Sequence, residues 1–208
     1  MTAAAMNVQD PEELLARLSA RLGAGAGHAE LRWHANASAQ LSMRKGVLMV
    51  NRRSRAAGVS ARVYQNGLYG FAAVPREDGA AMDQALADAR RNAGVNRRHA
   101  HSGPGLAAAA AANAIYAPYD SGPGLAWNDR IELLKQVDAQ ARRKYPDLVD
   151  LTLSLGMNGS AKALVTGEGA RAFSDVARSV FSARLTLESK QGPVALADQL
   201  GGLGDVDA

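Results

Sequence analysis

Leu14, Leu15, Leu18 and Leu22 recur at helical spacing, and Asp10-Pro11-Glu12-Glu13 stands immediately before them. An acid at the N-cap, proline at the first helical position and an acid three residues past the cap satisfy the free amides of a helix start. The spacing therefore predicts a helix to about Leu22, stopped by Gly23, Gly25 and Gly27. From Ala29 the period becomes two. Leu31, Trp33, Ala35, Ala37, Ala39, Leu41 and Met43 alternate with Arg32, His34, Asn36, Ser38, Gln40, Ser42 and Arg44, the signature of a long strand with one wet face. Lys45-Gly46 can turn the chain into a strand over 47–53. A further strand over 59–64 leads to Asn66-Gly67, the pair best suited to the positive φ angles of a type I′ hairpin turn. The returning strand is Leu68 to Val74. A helix follows, with Glu77 and Asp78 in its first turn, an inner face of Met82, Ala85, Leu86, Ala89 and Ala93, and an end at Arg90, Arg91 and Gly94.

Regularity lapses between 95 and 127, where Ser-Gly-Pro-Gly occurs at 102–105 and 121–124 around an alanine tract, so a linker with one short helix is expected. Asn128 or Asp129 can cap the next helix, whose inner face is expected to hold Ile131, Leu134, Val137, Ala141 and Tyr145 and which Pro146 terminates. Val149, Leu151, Leu153, Leu155 and Met157 then alternate with polar or small residues. Two more alternating runs follow, the second with Phe181, Ala183, Leu185 and Leu187 inward, and Gly167-Glu168-Gly169 marks a hairpin turn between strands. From Gly192 the chain is Gly-rich and acidic, and it reads as a tail or an unfinished connection.

The pattern predicts an α+β protein of two small domains, each an antiparallel sheet packed with one or two helices. The expected boundaries are 1–100 for the N-terminal domain, 101–127 for a Gly/Pro/Ala-rich linker, 128–191 for a middle helix plus meander, and 192–208 for the tail. A length of 208 residues suits this division, because single domains run to about 100–200 residues. With 47% hydrophobic and 21% charged residues the chain has globular composition, and 21 glycines with 7 prolines are too few for a collagenous or low-complexity protein. The absence of cysteine excludes disulfides, thiolate metal sites, iron–sulfur clusters and thiol nucleophiles, and points to the cytoplasm. Met1 to Met6 has neither the basic nor the apolar region of a signal peptide. The apolar stretch Leu106 to Ala112 is far shorter than the roughly 20 residues that span a bilayer, so no membrane partner is expected. The net charge of +4 is spread along the chain, which permits nucleic acid as a partner without indicating it.

No catalytic constellation emerges from the motifs. None of His28, His34, His99 and His101 is followed directly by Glu. His28-Ala29-Glu30 lacks the cysteine pair of a deaminase. His99 and His101 share a face if extended, but they lie in a basic stretch with Arg97 and Arg98 and give only a weak metal cue. Ser42-Met43-Arg44-Lys45 matches Ser-x-x-Lys without the Ser-Asp-Asn and Lys-Thr-Gly elements of penicillin-recognising enzymes. The glycines from Gly23 to Gly27 close a helix, whereas a dinucleotide loop opens one. Three arginine groups, Arg52/Arg53/Arg55, Arg97/Arg98 and Arg142/Arg143 with Lys144, can bind phosphates, and Trp33 or Tyr69 can stack on bases. Only 5% of the chain is aromatic, however, and such arginines are normally solvated or paired. The residues therefore offer no catalytic, cofactor-binding or metal-ligating candidates.

Arg55-Ala-Ala-Gly58-Val-Ser-Ala-Arg62-Val63-Tyr-Gln-Asn-Gly67-Leu-Tyr69-Gly70-Phe71-Ala72 resembles the first conserved block of the TldD/PmbA family, the modulators of DNA gyrase now regarded as zinc metallopeptidases. The block runs approximately Gly-Val-Gly-Val-Arg-Val, a short turn, then Gly-x-Trp-Gly-Phe-Ala. Ser60 replaces its second glycine and Tyr69 its tryptophan. The resemblance extends through the helix at 83–93, Ile131 to Leu134 and the meander from Leu148 to Lys190 with its Thr166–Gly169 hairpin. It implies the amino-terminal and middle domains of such a protein, because the family's His-Glu-x-x-x-His sequence lies beyond the region matched. No metal ligand is carried over, and zinc is expected only in a full-length catalytic subunit. The implied function is a non-catalytic portion of a peptidase acting on unfolded peptides. It would serve subunit assembly, as a homo- or heterodimer with a TldD/PmbA-type partner subunit, and a substrate channel that accepts an extended peptide by strand addition. The alternative is a free-standing interaction or nucleic-acid-binding module that uses the arginine clusters.

Overall fold

The alternating runs are hydrogen-bonded into one sheet. The computed structural model describes residues 10–23, 28–65, 67–96, 111–117 and 125–204. Its elements in chain order are α1 (Pro11–Leu22), β1 (Ala29–Arg44), β2 (Val47–Gln65), β3 (Leu68–Val74), α2 (Gly79–Asn96), β4 (Asn113–Tyr116), α3 (Trp127–Lys144), β5 (Leu148–Thr166), β6 (Arg171–Leu187) and β7 (Val194–Leu203). The strands form a seven-stranded sheet in the order β3-β2-β1-β5-β6-β4, with β7 also paired to β6. β4 runs parallel to residues 171–174 of β6, and β7 runs antiparallel to residues 178–187 farther along the same strand.

The α+β class is as expected. The strands of segments 1–100 and 128–191 are joined, because β1 pairs with β2 on one side and with β5 along fifteen residues on the other, from Glu30↔Thr166 to Arg44↔Thr152. Two cores lie on one face of this sheet. The first holds Leu14, Leu15 and Leu18 of α1, Met82, Ala85 and Leu86 of α2, and Leu31, Trp33, Val59, Val63 and Val165 beneath them. The second holds Leu134 of α3 over Leu41, Met43, Leu151, Leu153, Leu155 and Met157. Leu31 to Met43 have the same parity on β1, so both helical layers cover the same side. The opposite face carries no helix among the described residues.

Local chemistry explains the boundaries. The Asp10 side chain accepts from the Glu12 amide at 3.0 Å, and Pro11 opens α1. Lys45 and Gly46 turn with positive φ, and Gly67 and Gly169 do so at the two expected hairpins; Asn66 lies outside the described residues. The segments 47–53 and 59–64 belong to one 19-residue strand, because Ser54 to Gly58 keep their main-chain pairing with His34 to Ser38 despite a weak apolar pattern. The two later runs likewise merge into β6. Helix α2 starts at Gly79 rather than at Glu77, since Asp78 acts as its cap by accepting from the Ala81 amide at 2.7 Å. Helix α3 starts at Trp127 behind Ala126, with no side-chain cap, so neither Asn128 nor Asp129 serves as one. Its buried residues are Arg130, Leu134 and Asp138, and Tyr145 is exposed. The Arg130 Nε donates to the Leu125 carbonyl at 2.9 Å, and Asp138 accepts twice from Arg142, so polar groups replace part of the expected stripe. In the expected linker, Asn113–Tyr116 forms β4. In the expected tail, Val194–Leu203 forms β7, for its glycines do not prevent ladder pairing at a sheet edge. The Ser-Gly-Pro-Gly repeats and the linker's short helix lie outside the described residues.

Candidate functional site

Even-numbered residues of β1 face away from the helices, and the register assembles them with their neighbours into transverse rows. One row is Ser54, Ser38, Asn158 and Arg178, from β2 through β1 and β5 to β6. The next is Ala56, Asn36, Ser160 and Val176. A third is Gly58, His34, Lys162 and Ser174. Small hydroxyl and amide side chains thus occupy the centre, and their shortness leaves a depression of about 310 Å³ lined by Asn36, Ser38, Ser54, Asn158, Ser160 and Arg178, among others. A second depression, of about 410 Å³, lies over β2 and β3 between His34, Ser60, Phe71, Ala73 and Pro75. Asn36 and Ala56 line both, so the two form one diagonal trough.

The polar groups of this floor are tied to one another. Ser38 and Ser54 share a hydroxyl–hydroxyl hydrogen bond of 2.8 Å, and the His34 Nε2 lies 3.1 Å from Asn36 Oδ1 and 3.3 Å from Ser160 Oγ. Around the floor the charge is positive. Glu30 is held by Arg32 and Arg62, and Asp150 by Arg44, whose hydrogen bonds keep that carboxyl below the usual aspartate range against the opposing effect of burial. Arg52, Lys162, Arg178 and Arg184 are exposed on the same face and have no acidic partner among the described residues.

A second feature is the edge of β2. Strand β3 pairs only with residues 59–65, so the ladder leaves residues 47–58 unpaired on that side among the described residues. The Tyr64 amide donates to the His28 carbonyl on the β1 side. Main-chain direction alternates along a strand, so Asn51, Arg53 and Arg55 turn their N–H and C=O outward. Their side chains are secured from the helical side. Arg53 lies over the Trp127 ring at 4.9 Å, and the Trp127 Nε1 donates to Asn51 at 3.0 Å. Arg55 makes two 2.9 Å bonds to Glu77, which also accepts from the Trp33 indole at 3.0 Å. The Arg55 bonds, aided by Trp33, hold the Glu77 carboxyl below its ordinary range although burial opposes them.

These partners decide the sequence candidates. Trp33 is 5% exposed, so no base can stack on it. Arg53 and Arg55 are engaged by Trp127 and Glu77, Arg142 by Asp138, and Lys144 by the Tyr145 ring, so these four side chains are already partnered. Tyr69 is exposed, with Arg62 over its ring. Ser42 bonds Ser154 within the sheet, and His28 pairs with Glu168 at 2.6 Å. Arg97, Arg98, His99, His101 and Gly25 lie outside the described residues. Among the described residues no three His, Asp or Glu side chains converge as metal ligands, so these residues do not fit a zinc centre. No helix of the described residues is long and apolar enough to cross a membrane. Sequence reasoning missed the trough because a row across four strands exists only once their register is set. Its one sequence trace is the run of small polar residues at even positions of two strands.

Residues 29–93 match the family described as PmbA/TldA metallopeptidase domain 1. No curated protein matches the chain in sequence. In fold, it is similar to TldE from Thermococcus kodakarensis, with a TM-score of 0.62 and 13% identity over 91% of this chain and 42% of that one. It is similar to a protein described as a modulator of a DNA gyrase from Thermotoga maritima, with a TM-score of 0.62 and 15% identity over 92% and 42% of the two chains. A third such structure, from Bacteroides thetaiotaomicron, has a TM-score of 0.58 and 15% identity over 95% and 46%. The chain spans less than half the length of these solved structures.

Proposed function

We propose, from the premise that this chain belongs to the TldD/PmbA family through the domain formed by residues 29–93, that it is a non-catalytic, peptide-holding portion of a metallopeptidase-type protein. The observation that carries this reading is the edge of β2 over 47–58, which no described strand covers. An extended peptide can add there as a further strand, using the outward main-chain groups of Asn51, Arg53 and Arg55 without regard to its sequence. Trp127 and Glu77 hold the edge residues from the helical side, so the edge is ordered before a peptide arrives. On this reading the protein works in the cytoplasm with a partner subunit of its own family type, as a homo- or heterodimer enclosing a substrate channel, and proteolysis is completed by polypeptide other than the described residues.

Proline substitution tests the edge directly, because it removes an outward donor. Arg53→Pro should weaken binding of an extended, fluorescently labelled peptide to the 208-residue chain by about tenfold, the size of one or two lost hydrogen bonds. Arg53→Ala, which loses the contact with Trp127 but keeps the amide, should bind nearly as the parent does. Equal affinity of the proline variant and the parent would overturn the edge as the peptide site. Chelator-sensitive hydrolysis by the purified chain would overturn its non-catalytic role.

A further inference from the structure

The trough on the open face differs from the β2 edge in position and chemistry. At the β6 end stands Arg178; Lys162, on β5 in the row of His34 and Gly58, flanks the trough two rows away without lining either depression. Both are exposed, with no acidic partner among the described residues. The middle is floored by Asn36, Ser38, Ser54, Asn158 and Ser160, which offer donors and acceptors but no charge. The β3 end is apolar, formed by Ala73, Pro75 and Phe71, the last 57% exposed. On the open faces of these strands the carboxylates among the described residues are Glu30 and Asp150, and each is already engaged by arginine. The face is thus a polar track with a cationic end and an apolar end.

We infer that this trough binds a linear acidic peptide, its carboxylates toward Arg178 with Lys162 at the flank, and an apolar side chain over Phe71 and Pro75. The inference rests on the peptide-handling reading only for the class of ligand. Strand spacing of about 4.8 Å and a same-face repeat of about 6.8 Å make the diagonal from Arg178 to Ala73 roughly 30 Å. That is the length of about nine extended residues at ~3.4 Å each. Three properties select such a ligand. The unneutralised cations select carboxylates. The hydroxyl and amide floor bonds peptide groups that lie across the strands. Exposed Phe71 offers apolar area to cover. The β2 edge reads only main chain, whereas the trough reads side-chain charge.

The test uses the 208-residue chain and three labelled probes read by fluorescence anisotropy. These are a decapeptide with an apolar N-terminal and a Glu/Asp-rich C-terminal half, the same peptide with Lys for each acid, and a single-stranded oligonucleotide of equal negative charge. The acidic peptide should bind at least tenfold more tightly than the lysine peptide. Arg178→Glu should abolish that preference, Arg178→Gln should reduce it, and Phe71→Ser should weaken the acidic peptide severalfold without changing the charge preference. Arg143→Glu, an exposed helix-end change, should leave the preference intact and controls for net charge. Arg53→Pro separates the two sites: if it leaves the charge preference intact the trough stands whether or not the edge does. Equal binding of both peptides, or no effect of Arg178→Glu in a chain with an unchanged circular dichroism spectrum, would overturn the trough. Oligonucleotide binding as tight as that of the acidic peptide, lost in Arg178→Glu, would overturn the peptide assignment in favour of nucleic acid.

Discussion

Gly70 is required by the approach of α2 to β3. A Cβ built there would meet the carbonyl of Ala89 and the amide of Ala93, both main-chain atoms that cannot move without displacing the helix. Gly70→Ala should therefore destabilise the protein by about 3 kcal/mol or more, as overpacking against backbone does; chemical denaturation measures it. Asp175 presents the opposite kind of strain. It is half-buried beside Ala161, and burial raises its carboxyl above the ordinary aspartate range. The folded chain then holds this proton more tightly than the unfolded chain. The contribution to stability is full below the unfolded value and is lost as pH rises through the raised one. Asp175→Asn should raise the Tm at neutral pH by roughly 2 °C, and the gain should vanish in acid. A melting series across pH in which parent and variant stay parallel would refute the assignment. Glu77 has the reverse sign: its depressed carboxyl stabilises above the unfolded value, and this is lost as pH falls through the folded one. The role of Gly70 was visible in the sequence only as one member of a resembling block, since a helix must dock before a Cβ has anything to strike. The half-burial of Asp175 left no trace in composition.

At the scale of elements, legibility followed local chemistry. The start of α1 was readable because Asp10, Pro11 and Glu12 act within one turn, and the Lys45-Gly46 turn because it demands positive φ from two adjacent residues. Other boundaries escaped. The Arg52–Ala57 segment has no apolar alternation, yet it pairs throughout with β1, because a ladder bond is made by main chain and needs no side-chain pattern. The same holds for the Gly-rich β7. In α3 the buried positions include Arg130 and Asp138, one turn either side of Leu134, whose polarity argues for the surface; neighbouring acceptors and Arg142 remove the cost of burying them.

For the whole molecule, the decisive element is β1, which carries Leu31 and Trp33 into one core and Leu41 and Met43 into the other. Two cores on one 16-residue strand should unfold together. Leu18→Ala in α1 and Leu134→Ala in α3 each empty a site with 0% exposure and should each cost about 2–5 kcal/mol. Both should lower the same single calorimetric transition; two separable transitions, each moved by one variant, would show independent units. The sequence by itself determined the α+β class, the stripes of α1 and α2, the wet face of β1 and the tight turns, because each depends on residues a few positions apart. Only the tertiary structure decided that the two halves share a sheet, that both helical layers lie on one face, and that serines, asparagines and Arg178 meet across four strands on the other. The reason is that strand pairing is chosen by main-chain hydrogen bonds, identical at every residue, over separations at which side-chain periodicity carries no record of the partner.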